Sequence, residues 1–310
     1  MKKVLSIALS IILAVAFMAS CKQVKPSPRK VLFVGVDGLA SWCLEKAIDS
    51  IPDRIPNIIK LMEESSWTLE KRAVAPTSSA INWASTFMGV PTEMHGYNRW
   101  NSRESAFKPY AVGPNGMPST VFTLLKEQRP EAESVCIYDW NGIGYVIDTA
   151  AVSSHQCLKW DPDSLSSVDY TKQYCLPVIE QGMPDIFMFY LVDVDEAGHH
   201  FGWGSEEYYD ALARLDEALG LMLEALDKSG QRENTVLIVT SDHGGKKDKK
   251  HGTYNVEDFL TPFVVNGPGF GAGQITSTVM QYDVAAITAK VLGLTVPDEW
   301  RGRSDFVCKQ

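Results

Sequence analysis

The residues that could do chemistry stand where apolar runs give way to polar turns. Asp37 closes the run Val31–Val36, and Asp242 and His243 follow the run Thr235–Thr240. Asp195 and His199 are spaced i, i+4, which puts them on one side of a helical turn or tight loop. His251 follows a little further on, after Lys249 and Lys250. Carboxylates and imidazoles on loops are the donors that divalent zinc accepts, and these three aspartates and three histidines could serve two ions. Ser79, in the stretch Ala75–Asn82, sits where a turn becomes a helix, close to backbone N–H groups without intrahelical partners. There Ser78 or Ser79 is either a helix N-cap or a nucleophile facing an anion site. Each residue alone has an ordinary use: Asp195 as a helix cap, Asp37 in a turn, His199 on the surface. Their joint position after successive strands points instead to a common site.

The elements that must position them read as strands alternating with helices. Apolar runs without alternation, as in strands buried on both faces, cover Val31–Val36, Asp185–Val194 and Thr235–Thr240. Further strands are predicted at Thr68–Val74, Ser134–Tyr138 and Thr261–Val265. Helical patterns span Leu39–Ser65 (broken at Pro52 and Pro56), Ser119–Gln128, Val168–Gln181, Glu206–Leu226 and Asp283–Leu292. Tyr97–Pro118 reads as a long loop and Trp140–Asp163 as irregular. This order predicts an α/β fold, a mainly parallel central sheet with helices on both faces. In such sheets functional groups lie at the carboxyl ends of strands, where Asp37, Ser79, Asp195 and Asp242 all fall.

Five motifs in this order, VGVDGL, PTSSAIN, DEAGH, SDHGG and KKHG, resemble the alkaline phosphatase superfamily. Within it the likeness is to the type I phosphodiesterase and nucleotide pyrophosphatase branch, from Lys30 to Arg303 and including the close TVPDEWRGRS. The resemblance implies an alkaline-phosphatase-like fold and two divalent ions, zinc by preference. One ion would be held by Asp37, Asp242 and His243 with Ser79 as the nucleophile bound to it, the other by Asp195, His199 and His251. Asn82 would donate to a non-bridging phosphate oxygen. The implied activity is phosphodiester or pyrophosphate hydrolysis of a small phosphate ester or nucleotide-like substrate through a phosphoserine intermediate. The alternatives are a phosphomonoesterase or phosphonate hydrolase, and a non-catalytic envelope lipoprotein that binds phosphorylated ligands. The branch typically carries Thr where Ser79 stands and an aromatic where Ala80 stands; Trp83, Tyr97 and Trp100 could supply an apolar wall or fill the core. The sulfatase pattern C/S-x-P-x-R is absent around Ser79, which argues against sulfate-ester chemistry there.

At 310 residues, 45% hydrophobic and 22% charged, the chain can bury a full core. A net charge of -9 with no long basic run argues against nucleic acid as a partner, and Lys246, Lys247, Lys249 and Lys250 form a local exception. Residues 1–20 read as a signal peptide, with Lys2 and Lys3 ahead of the apolar Val4–Phe17. Met18-Ala19-Ser20-Cys21 resembles a bacterial lipobox, so Cys21 is the expected lipid anchor and 21–29 a tether. The expected location is the cell envelope, with a soluble secreted protein as the alternative. Residues 30–310 then form one catalytic domain in which 97–183 includes a reduced substrate-recognition cap. Of the remaining cysteines, Cys157 and Cys175 flank a polar loop and are the expected disulfide.

Overall fold

A computed structural model describes residues 29–161 and 166–307. The leader, Cys21 and most of the tether lie outside the described residues. No helix among the described residues is long and apolar enough to cross a membrane.

The chain runs β1 (Lys30–Val36), α1 (Ser41–Ser50), α2 (Pro56–Glu63), β2 (Ser66–Arg72), α3 (Ser79–Met88), α4 (Thr92–His95), α5 (Val121–Gln128), β3 (Ser134–Tyr138) and β4 (Ser154–Cys157). It continues through α6 (Ser167–Tyr170), α7 (Leu176–Gln181), β5 (Ile186–Leu191), α8 (Asp193–Phe201), α9 (Glu206–Lys228) and β6 (Thr235–Ser241). Last come α10 (Val256–Phe259), β7 (Leu260–Asn266), β8 (Gly273–Gln274) and α11 (Asp283–Val291). The strands form one 8-stranded sheet in the order β4-β3-β5-β1-β6-β7-β2-β8. β1 is parallel to both β5 and β6, whereas β7 runs antiparallel to β6 and β2.

Alternate residues of β1 serve two separate cores, as a strand's period of two requires. Val31 and Phe33 pack with Phe87 of α3, Phe122 of α5 and Ile287 of α11. Leu32, Val34 and Val36 pack on the other face with Leu44, Leu61, Leu212 and Leu219 of α1, α2 and α9. The register then fixes the site: Val36 pairs with Leu191 on one side and Ser241 on the other. Asp37 and Asp242 consequently leave the sheet at one level, and α8 begins at the same edge.

The strand at Asp185–Val194 is shorter than its apolar pattern suggests. It ends at Leu191 because α8 starts at Asp193, where Asp193, Asp195 and Glu196 favour the positive end of a helix. Between α6 and α7 the predicted helix contains a π-helical turn at Thr171–Cys175, next to Pro177, whose missing N–H breaks the regular ladder. The proposed Cys157–Cys175 disulfide does not form. Cys157 is exposed on the edge strand β4 and Cys175 is buried in the helical layer, and both are free thiols. The loop after α4 is irregular as expected, tied down by Ala106 N–H to Gly96 O at 2.8 Å and Tyr110 N–H to Met94 O at 2.9 Å.

Candidate active site

Ser79 is the first residue of α3 and all but buried. Its neighbour Ser78 occupies the N-cap position, yet its side chain makes no capping hydrogen bond. The Ser79 hydroxyl instead lies 3.2 Å from Nε2 of His243. That same nitrogen is 3.3 Å from Asp37 Oδ1 and 3.2 Å from Asp242 Oδ2. Next to it, His199 Nε2 is 3.4 Å from Asp195 Oδ2 and 3.2 Å from His251 Nε2. The rings of His243 and His251 stack with centroids 3.7 Å apart.

The histidine tautomers follow from their other nitrogens. Nδ1 of His243 faces Gly244 O at 2.9 Å, Nδ1 of His251 faces Thr77 O at 2.9 Å, and Nδ1 of His199 faces Lys249 O at 3.2 Å. A carbonyl can only accept, so each Nδ1 carries the proton and each Nε2 presents a lone pair. Burial holds His243 and His251 neutral, pushing them down to about 3 and about 2. Three imidazole Nε2 atoms therefore converge on the carboxylate oxygens.

Three carboxylate oxygens of the cluster lack hydrogen-bond partners: Asp37 Oδ1, Asp195 Oδ1 and Asp242 Oδ2 are buried and unpaired. Burial raises Asp37 and Asp195 well above the usual carboxylate range, and the neighbouring carboxylates add to the rise. Burial likewise lifts Asp242 to about 7, against the pull of the Gly38 N–H at 3.2 Å. Acceptors packed this closely repel each other unless a cation lies among them. Two groups have the spacing to hold one: Asp195, His199 and His251, and Asp37, Asp195 and His243. Asp195 belongs to both, and Asp242 borders the second through His243.

Sequence reasoning missed two supports. Tyr190, on β5, donates its hydroxyl to Asp37 Oδ2, but it is hidden within an apolar run that reads as core alone. Gly38, at φ +66°, lets Asp195 approach, since a Cβ there would fall 2.5 Å from Asp195 Oδ1.

Asn82 requires a correction. It is fully buried, its Oδ1 accepts from Val74 N–H at 2.7 Å, and its amide donates to the carbonyls of Val74, Pro76 and Ser78 at 3.2 Å. It clamps the loop that presents Ser79 and has no donor left for a phosphate. His95 is structural, with Nδ1 accepting from Tyr97 N–H and Nε2 donating to Ser85, both at 3.0 Å. His155 pairs with the hydroxyl of Tyr138 at 2.9 Å. Trp83 and Tyr97 are core residues, whereas Trp100 is 58% exposed and accepts at its carbonyl from Ala80 N–H, beside Ser79.

A mixed sheet covered on both faces, with aspartates and histidines gathered beside a serine at its carboxyl edge, defines the alkaline-phosphatase-like class. The sequence profile of the type I phosphodiesterase / nucleotide pyrophosphatase family matches residues 31–291, and the chain belongs to that family. A venom phosphodiesterase of Macrovipera lebetinus is 28% identical over 225 residues, 69% of this chain and 25% of that protein. The rat ectonucleotide pyrophosphatase/phosphodiesterase family member 1 is 26% identical over 204 residues, 61% of this chain and 21% of that protein. The chain thus spans about a quarter of the length of these relatives. Among solved structures, murine ectonucleotide pyrophosphatase/phosphodiesterase 5, an inactive variant in complex with AMP, has a TM-score of 0.69 at 17% identity, covering 90% of this chain and 100% of that one. The lipoteichoic acid synthase LtaP of Listeria monocytogenes has a TM-score of 0.63 at 15% identity, covering 90% and 75%.

Proposed function

We propose that the chain is a metal-dependent phosphodiesterase or nucleotide pyrophosphatase in which Ser79 is the nucleophile. The observation that carries this reading is the Ser79 hydroxyl, 3.2 Å from the His243 lone pair and beside unpaired buried carboxylate oxygens. Two zinc ions, one at Asp37, Asp242 and His243 and one at Asp195, His199 and His251, would stabilise the serine alkoxide and offset phosphoryl charge. Ser79 Oγ attacks phosphorus as the bond to the leaving oxygen breaks, and the serine proton ends on the departing alcohol. Water then displaces Ser79 Oγ from phosphorus and returns a proton to it. The start of α3 orients Ser79, and the positive end of the helix would favour the anionic phosphoryl group. Trp100, exposed and bonded through its carbonyl to Ala80 N–H, would supply an apolar wall near the site.

Turnover of bis-p-nitrophenyl phosphate above that of p-nitrophenyl phosphate is expected. Ser79→Ala should lower diester turnover on the order of 10³-fold with bound zinc largely retained. Undiminished turnover in that variant overturns the assignment, and equal or faster monoester turnover overturns the diester preference. We also propose anchoring to the bacterial envelope through a lipidated Cys21, on the strength of its lipobox; Cys21→Ala should then abolish palmitate labelling and release the protein from the membrane fraction.

A further inference from the structure

Lys71 is the only lysine among the described residues whose side chain is fully buried. Its place results from an irregularity in β2. The pairing of β2 with β7 shifts between Thr68 and Lys71, with the Glu70 N–H turned back onto Thr68 Oγ1 at 3.0 Å. Such a bulge re-aims a side chain. Here Glu70 and Arg72 stay exposed while Lys71 enters the interior. An amine buried at this depth is unfavourable without partners, and burial lowers its pKa to about 7 against the opposing pull of Asp242 and Asp283.

The partners lie on both sides of the site. Lys71 Nζ donates to Ser241 O at 2.7 Å and to Gln281 Oε1. Gln281 Nε2 donates to the same Ser241 carbonyl at 3.1 Å and to Thr86 Oγ1 at 2.6 Å. Thr86 Oγ1 donates to Asn82 O at 2.8 Å, and Asn82 is the clamp of the Ser79 loop. Ser241 meanwhile accepts from Leu39 N–H at 2.9 Å and donates to His243 O at 3.1 Å. One continuous set of hydrogen bonds thus joins the turn bearing Asp242 and His243 to the helix bearing Ser79.

We propose that Lys71 is a positioning residue that, through Ser241 and Gln281, fixes the Asp242–His243 turn relative to the Ser79 nucleophile. This rests on the roles given to Ser79 and its neighbours above. The test uses the full chain as wild type, Lys71→Met, Lys71→Arg and Gln281→Met, with zinc affinity by competition with a chelating dye, kcat and KM on bis-p-nitrophenyl phosphate, and thermal melting.

Lys71→Met should lose about 10- to 100-fold in zinc affinity and a similar factor in kcat, with KM within about threefold. Lys71→Arg, which keeps the donors, should recover part of both losses. Gln281→Met cuts the link to α3 and one of the two side-chain bonds to the Ser241 carbonyl; with Lys71 Nζ still on that carbonyl, zinc affinity should stay within about threefold while kcat falls about tenfold. Should Lys71→Met fail to fold, the Gln281→Met split between zinc affinity and kcat decides. A lower melting point with unchanged kcat and zinc affinity in both variants overturns the inference and leaves the functional reading standing. A wild type that neither binds zinc nor hydrolyses the diester overturns that reading and the inference with it.

Discussion

The two halves of the ligand cluster are built differently. His243 is 0% exposed and Asp37 2%, seated directly on the ends of β6 and β1 and braced by Tyr190, Gly38 and Ser241. His199 is 41% exposed, and its orientation comes from the carbonyl of Lys249 in the loop after β6. The inner half is set by the sheet register, the outer half by a loop that follows it. On the proposed mechanism the sealed side is where the nucleophile would need fixed geometry. On that mechanism the open side is where water and product would pass, and there a ligand can move without disturbing the core.

The largest test of this contrast is a pair of ligand deletions. His243→Ala should lower diester turnover on the order of 10³-fold at any zinc concentration, because it leaves Asp37 and Asp242 buried without a counterpart. His199→Ala should cost about 10- to 100-fold and recover with added zinc, since water can occupy its exposed place. Equal losses that zinc does not restore in either variant would break the distinction. A smaller effect separates two glycines, measured by urea denaturation with EDTA present. Gly38→Ala forces a Cβ to 2.5 Å from Asp195 Oδ1 at φ +66°, for about 3 kcal/mol of destabilisation. Gly252→Ala, at φ +86° with Ser78 Oγ at 3.3 Å, should cost only roughly 1–2 kcal/mol.

The inner half was also the more legible in sequence, for the same physical reason. Continuous apolar runs end abruptly at Asp37 and at Asp242, so strand ends and ligands could be read together, and the helices on both faces followed from their periodicity. What the residues could not show was the use of atoms already committed elsewhere. The family resemblance implies a phosphate-binding role for Asn82, yet backbone carbonyls of its own loop consume its amide. Tyr190 hides within a strand that is apolar throughout. Lys71 sits in a segment read as an ordinary strand, and only the bulge turns it inward. The Cys157–Cys175 pairing failed because proximity across a loop in sequence says nothing of which layer each thiol joins.

A pH signature sharpens the sealed side further. His95 is buried beneath α3, and burial lowers it to about 3, far below the 6.5 of an unfolded histidine. Above pH 6.5 neither folded nor unfolded chain binds this proton. As pH falls below 6.5 the unfolded state takes it up and the folded state does not, so the stability this residue confers is lost from there down to about pH 3. Between pH 6.5 and 5 the loss from this one residue is about 2 kcal/mol. His95→Gln, less stable overall, should show a correspondingly shallower decline across that interval in urea titrations. Parallel slopes for the two proteins would mean that His95 is protonated in the fold.

The smallest expected effect lies on the open side. Lys249 adopts φ +69°, a region that favours glycine, and its Nζ donates to His200 O at 2.7 Å. Its bond to His199 is made by the backbone carbonyl, which any residue supplies. Lys249→Gly relieves the backbone strain and gives up one exposed hydrogen bond and some unfolded-chain entropy, so stability should change by less than about 0.5 kcal/mol. Diester turnover should stay within about threefold of wild type, because the His199 tautomer depends on the carbonyl alone. A tenfold loss in zinc affinity would show instead that the lysine side chain holds the loop, and that the open half is braced as firmly as the sealed one.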